Sequence, residues 1–291
     1  MISLIICSRQ PDIPQSLKDN IAETIGLEYE LIIIDNSKNQ YSIFSAYNEG
    51  IRRARFPYLC FMHDDILYHT QDWGKKVIEN FQDEKVGVIG VGGCHYLCKY
   101  PVSLLSWKLA ERNKFYSFNY IQRYDENKKH KTEIFNNLQS KSVNVVALDG
   151  MWFCIKQNLF EHTSLKFDEE NFKGFHFYDF DMCMQIHALK MQTKVIPDIL
   201  IEHFSDGTFN KVWYDNAFIF YKKWKNYFPI AIGLDLSDDK IKNLEYDLVM
   251  EYIQSAVDLQ DDLQKQLQSI SKSKRYRLGR FLLSPIRWLK K

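Results

Sequence analysis

The sequence predicts a Rossmann-like α/β protein: a mixed, mainly parallel sheet flanked by helices, followed by a C-terminal helical extension. Three observations carry this. Apolar runs at residues 2–7, 29–34, 58–62 and 86–91 have strand length and no polar alternation, as strands covered on both faces do. The stretches between them space their apolar residues as helices do. Beyond residue 230 strand signals stop and one long amphipathic stretch takes over.

Taken in order, residues 2–7 form the first strand, and Ser8-Arg9-Gln10-Pro11-Asp12 the loop at its carboxyl end. Ile13, Leu17, Ile21 and Ile25 share one helical stripe, which Gly26 ends. The strand at 29–34 runs into Asp35-Asn36-Ser37, and a helix over 43–54 turns Tyr47, Ile51 and Ala54 inward. Pro57 opens the third strand, since proline has no place inside a central one. That strand delivers His63, Asp64 and Asp65. A helix over 71–81 and a strand over 86–91 complete a β-α-β-α-β-α-β alternation, the pattern of a parallel sheet with right-handed crossovers.

From 94 to 142, Tyr, Phe, Trp, Lys and Asn accumulate with no clean period, so an irregular insertion is expected. Residues 144–148 are strand-like and end in Asp149-Gly150. Residues 151–155 continue extended, and a short helix starts at 156–161. An acidic turn at Phe167-Asp168-Glu169 precedes an amphipathic helix over 179–190. Short strands follow at 194–196 and 200–204, the second carrying His203, and then an aromatic helix at 213–224. The stretch 241–270 is an amphipathic helix with irregular heptads, a face suited to homodimer pairing. Residues 271–291 hold eight Lys or Arg and no acid, interleaved with Leu, Phe and Trp288. Such a segment suits an anionic membrane surface, or the protein's own acidic surface. Three regions are therefore expected: 1–93, 94–230 and 231–291.

Composition excludes several classes. With 38 basic and 37 acidic residues the net charge is +1, so nucleic acid is not the expected partner. No run of 18 apolar residues exists, and the first residues carry no basic leader or cleavage site. Six cysteines without paired metal spacing fit a reducing cytoplasm.

The chemistry-bearing residues gather at strand ends. Open α/β sheets bind ligands outside the carboxyl ends of their strands. Asp35 ends one strand and His63-Asp64-Asp65 the next, where carboxylates and an imidazole suit a divalent cation. A turn whose acids cap the following helix is the alternative.

The order of these pieces, over roughly residues 1–230, resembles the GT-A nucleotide-sugar glycosyltransferases, specifically inverting family 2. The similar segments are Ile32-Ile33-Ile34-Asp35, Tyr47-Asn48-Glu49-Gly50, Phe61-Met62-His63-Asp64-Asp65, Phe167-Asp168-Glu169 with Tyr178-Asp179-Phe180-Asp181, and Ile201-Glu202-His203. His63 departs from the family's Asp-x-Asp and resembles a subgroup with His-x-Asp, and Tyr178 stands where a Glu is usual.

The resemblance implies a nucleotide-sugar-binding half at 1–93 and an acceptor-binding half at 94–230. It implies nucleotide contacts from Ser8, Arg9, Asp35, Asn48, Asp64 and Asp65, and Mn²⁺ or Mg²⁺ held by Asp65, His203 and His63. It makes Asp179 the base that takes the acceptor's proton, with Asp181 the nearest substitute. Gly150, Trp152, His176 and Asp181 are implied as acceptor-binding. Donor and acceptor are then a nucleoside-diphosphate sugar and a glycan or lipid-linked hydroxyl, in bacterial-type surface polysaccharide synthesis at the inner face of the cell membrane. Two other readings remain open: a non-catalytic GT-A-like binding module, and a nucleotidyltransferase. The second lacks support, because the first loop has no glycine-rich signature.

Overall fold

The structure is a computed structural model, and it describes residues 1–100, 115–126, 129–139, 141–205 and 210–276. The described residues fall into two compact units, Met1–Ser237 and one beginning at Asp238.

The first unit is built on a seven-stranded sheet. Its strands are β1 (Ile2–Ser8), β2 (Tyr29–Asp35), β3 (Tyr58–Met62), β5 (Val86–Gly90), β10 (Val143–Asn144), β12 (Trp152–Lys156) and β13 (Gln192–Val195), in the order β10-β13-β5-β12-β3-β1-β2. The β2-β1-β3 group is parallel, as expected. β5 does not join it: β12 lies antiparallel between β3 and β5. The antiparallel insertion places the start of β12 on the same rim as the ends of β1, β2 and β3.

Each face of this sheet buries one core. Alternation along a strand sends successive side chains to opposite faces. Leu4, Ile6, Cys60, Met62 and Cys154 meet Leu17 and Ile21 of α1 (Gln15–Thr24), and Trp73 and Val77 of α3 (Trp73–Asn80). Ile5, Ile34, Phe61 and Phe153 face the other way. They meet Phe44 and Tyr47 of α2 (Ile43–Arg53), Met182 and Ile186 of α5 (Tyr178–Ala188), and Phe220 of α6 (Lys211–Lys223). The short α4 (Gln157–His162) follows β12. A Cβ on Gly50 would stand 2.2 Å from Ile5 Cγ2, so glycine lets α2 lie close on β1.

Of the irregular insertion expected at 94–142, residues 101–114 lie outside the described residues, and most of the described ones are strand. β8 (Tyr116–Glu126) and β9 (Lys129–Asn136) form an antiparallel hairpin, and β7 (Tyr96–Leu97) pairs with β15 (Ile230–Ala231). A second sheet runs β11-β6-β8-β14-β4, using β4 (Ile66–Tyr68), β6 (Gly92–Cys94), β11 (Ala147–Leu148) and β14 (Ile201–His203). This sheet delivers His203. β14 is antiparallel to β4 with His203 opposite Ile66, and parallel to β8 with His203 beside Gln122.

The second unit carries α7 (Asp238–Lys272). From Leu248 one stripe of apolar residues runs Leu248, Tyr252, Ala256, Leu259, Leu263, Leu267, Ile270, with Val249, Met250, Ile253 and Val257 beside it. The spacing repeats every eleven residues, about 3.67 per turn, which is why no regular heptad is legible. Of the basic segment at 271–291, residues 277–291 lie outside the described residues.

Candidate active site

Four strand ends make the rim. Register pairs Ser8 with Asp35 at the tips of β1 and β2. Ser8 Oγ donates to Asp64 Oδ2 at 2.5 Å, joining β1 to the loop after β3. Asp35 is exposed, and the Ser37 hydroxyl and backbone N–H hold its carboxyl below its usual value. Arg9 is exposed, its guanidinium 5.9 Å from the centre of the Phe175 ring on the loop before α5.

Beyond Asp64 three side chains converge. Asp65 Oδ1 stands 3.7 Å from His63 Nδ1 and 3.6 Å from His203 Nε2. One donor atom from each of the three lies within 4.8 Å of the others. Two backbone bonds fix the arrangement: Phe204 N–H to Asp65 O, and His63 N–H to Met151 O, both 3.0 Å. The 3.6–3.7 Å gaps are too wide for hydrogen bonds. They suit donors that share one cation, since ligands bound at about 2.1 Å stand at most about 4.2 Å apart. Asp65 Oδ1 is itself buried with no hydrogen-bond partner, an expensive state for a carboxylate oxygen unless something charged meets it. Burial, and the neighbouring His203, push the His63 imidazole below its ordinary value, toward the neutral form that ligates metals. Two imidazoles and a carboxylate therefore fit a divalent ion.

The next side chain in this line is Tyr178, whose hydroxyl is 3.0 Å from His63 Nε2 and donates to Gly150 O at 3.0 Å. Burial, and then the nearby Tyr47 and Asp179, push its phenol far above the ordinary value, so it stays a hydroxyl. Gly150 allows this approach, for a Cβ there would stand 2.3 Å from the Tyr178 oxygen. Tyr178 opens α5 after Phe177, which adopts a φ of 70°. That left-handed conformation costs a bulky residue of order 1–3 kcal/mol. Packing of the Phe177 ring on Phe180, Trp213 and Phe220 offsets it.

Asp179 follows at the start of α5 and is partly exposed. Its carboxyl is pushed up from 3.8 to about 7 by burial first and by Asp149 second. Phe180 N–H donates to its Oδ1 at 2.9 Å and opposes the rise. A carboxylate poised near neutrality is what general base catalysis asks for.

Three expected roles meet different surroundings. Trp152 does not line an acceptor pocket: it is 0 % exposed, its Nε1 donates to Tyr68 O–H at 2.9 Å, and its ring packs edge-on to Trp73. Asn48 spends its amide within the protein. Its amide bonds Phe167 O and N–H and Glu169 Oε1, tying α2 to the acidic turn. Asp181 is not open to an acceptor. It is 1 % exposed and accepts from Trp224 Nε1, Gln185 Nε2 and Lys223 Nζ, with Lys223 also bridging to Asp168. His176 is half-buried on the loop before α5, and burial lowers its imidazole's value.

Asp149 and Gln122 are the additions. Asp149 is an exposed acid on the β11–β12 turn whose charge reaches both His63 and Asp179. The strand-like run ending in Asp149 was the signal. Gln122 Oε1 lies 3.0 Å from His203 Nδ1, and no sequence feature singles it out.

Residues 3–233 match the model of a glycosyltransferase like family. The chain belongs to this family. Among solved structures it is similar to GalNAc-T7 with UDP, GalNAc and Mn²⁺, at a TM-score of 0.51 and 9 % identity over 78 % of this chain and 50 % of that one. It is also similar to the mannosyltransferase PcManGT from Pyrobaculum calidifontis in complex with GDP-Man and Mn²⁺, at a TM-score of 0.48 and 11 % identity over 97 % and 84 % of the two chains. A third is A197 from STIV, at a TM-score of 0.41 and 18 % identity over 70 % and 86 %. No curated protein matches. The fold is GT-A, and the chain is a glycosyltransferase by family.

Proposed function

We propose that the protein moves a sugar from a nucleoside-diphosphate sugar to a hydroxyl of a glycan or lipid-linked acceptor, with inversion at the anomeric carbon. The carrying observation is the joining of two sites. His63, Asp65 and His203 converge on one point, Tyr178 reaches His63 from the residue before Asp179, and the charge of Asp149 acts on both His63 and Asp179. His63, Asp65 and His203 would hold a divalent ion, whose chemistry is to neutralise the charge that grows on the departing diphosphate. Two nitrogen donors favour Mn²⁺ over Mg²⁺.

The chain's own residues do the rest. Asp35 accepts hydrogen bonds from the nucleoside, its depressed carboxyl remaining charged. Ser8, Asp64 and Arg9 border the path of the diphosphate. The Asp179 carboxylate takes the acceptor hydroxyl's proton as the new glycosidic bond forms, on the face opposite the leaving group. His176, three residues earlier, borders the acceptor's approach.

The remaining proposals rest on composition. The cationic, Trp-bearing stretch 271–291 supports docking on the inner face of the cell membrane, from a cytoplasmic location, to meet a lipid-linked acceptor in surface polysaccharide synthesis. Among the described residues no helix is long and apolar enough to cross a membrane. The exposed Leu259, Leu263, Leu267 and Ile270 of α7 support pairing with a second copy.

A thermal-shift panel of UDP, GDP, dTDP and CMP, each with and without Mn²⁺, tests the reading. Stabilisation by one nucleotide only when Mn²⁺ is present is expected. No stabilisation by any nucleotide under either condition contradicts it.

A further inference from the structure

We propose that Tyr178 and Gln122 are positioning residues that lock the two histidines of the metal site in opposite tautomers. His63 then presents Nδ1, and His203 presents Nε2, before any ion arrives. This rests on the metal reading above and goes beyond it by assigning which nitrogen of each ring ligates, and why.

For His63 the proton is placed by elimination. Gly150 O has no hydrogen, so the Tyr178 hydroxyl donates to it at 3.0 Å. The same hydroxyl lies 3.0 Å from His63 Nε2. Its one proton is already used, so it accepts there, and Nε2 carries the hydrogen. In a neutral ring that leaves the lone pair on Nδ1, the atom 3.7 Å from Asp65 Oδ1.

For His203 the reference is the Gln122 amide. Gln122 Nε2 is ringed by three carbonyl oxygens, those of Ser205 at 2.9 Å, Arg123 at 3.2 Å and His203 at 3.4 Å. An amide oxygen turned into that ring would meet three acceptors, so the flipped orientation is excluded. Gln122 Oε1 therefore faces His203 Nδ1 at 3.0 Å as an acceptor, and Nδ1 carries the hydrogen. The lone pair is left on Nε2, 3.6 Å from Asp65 Oδ1. Ser205 Oγ, 3.4 Å from Nε2, is too distant to compete strongly with an ion.

Both positioning groups are well enclosed, Tyr178 at 5 % and Gln122 at 6 % exposure, so water does not readily replace either partner. Tyr178 has a second consequence. It precedes Asp179, so one helical turn both orients a metal ligand and carries the base.

The test uses the full-length protein labelled with ¹⁵N at histidine. In the metal-free wild type, long-range ¹H–¹⁵N spectra are expected to show His63 with its proton on Nε2 and His203 with its proton on Nδ1. Tyr178→Phe is expected to lose the single-tautomer signature at His63 while leaving that of His203. Gln122→Met is expected to do the reverse. Each variant is expected to bind Mn²⁺ alone, followed by its electron paramagnetic resonance signal, about 10–100-fold more weakly than wild type. A merely structural role would move melting temperature but not the tautomer of one ring. The opposite tautomers in wild type, or wild-type Mn²⁺ affinity in both variants, overturns the positioning while sparing the metal. A wild type that binds no Mn²⁺ overturns the metal reading, and this inference with it.

Discussion

Replacing Asp179 by Asn separates catalysis from stability. The Asp179 carboxyl rises from 3.8 to about 7 in the fold. In the unfolded chain it gives up its proton near 4, and in the folded protein only near 7. Between those values the folded state binds more protons, so stability falls as pH rises. The rate is about 1.4 kcal/mol per pH unit at its steepest, which comes to about 2.7 kcal/mol between pH 5 and 8, with little further loss above 8. Partial exposure of Asp179 makes this an upper figure. Asn has the same shape and no charge, so the variant escapes the loss. Urea unfolding of both proteins at pH 5 and pH 8 is the assay. The stability of Asp179→Asn relative to wild type is expected to improve by about 1–2.5 kcal/mol from the lower pH to the higher. Its kcat is expected to drop by about 10²–10⁴-fold, with nucleotide affinity kept. A stability difference that stays constant across the two pH values refutes the raised carboxyl, and full activity refutes the base.

Other substitutions probe the surroundings. Asp149→Asn removes the charge that helps raise Asp179. The acid limb of the kcat/KM profile, expected near pH 7 in wild type, should move to lower pH, and an unmoved limb would detach Asp149 from the base. Lys223→Met strands the buried Asp168 and Asp181 carboxylates it bridges. A loss of about 3–5 kcal/mol is expected by denaturant melts, partly recovered by adding Asp181→Asn. A double variant as unstable as the single one would contradict the pairing. Trp152→Phe is expected to lower stability and leave acceptor KM unchanged. A raised acceptor KM at unchanged stability would return Trp152 to the cleft.

The sequence carried the parallel half of the sheet well. The apolar runs at β1 and β3 are buried on both faces, and the edge strand β2, with Ile32 and Ile34 buried, keeps enough of the same pattern to read as a strand. The acids at their tips were legible for the same reason: a polar residue directly after such a run has only the rim to go to. What failed was the non-local part. β12 was legible as extended, but nothing in Trp152–Lys156 says that it inserts antiparallel between β3 and β5. Tyr116, Phe118 and Tyr120 alternate with polar residues as a strand does. Averaging over the whole aromatic-rich insertion hid that short period. Trp152 and Asp181 illustrate a different limit. Their residue types suit a pocket equally well as a core or an ion network, and only the partners, Tyr68 for one and Trp224 with Lys223 for the other, decide between them. Gln122 reaches His203 only through the parallel register of β8 and β14, a pairing across eighty residues that no local pattern encodes.

The central claim is that His63, Asp65 and His203 form one cation site beside Asp179. Crystals grown with Mn²⁺ and measured for anomalous scattering address it directly. A single strong peak is expected, within about 2.5 Å of His63 Nδ1, Asp65 Oδ1 and His203 Nε2 together. A peak bound elsewhere, or none at saturating Mn²⁺ with nucleotide present, contradicts the claim.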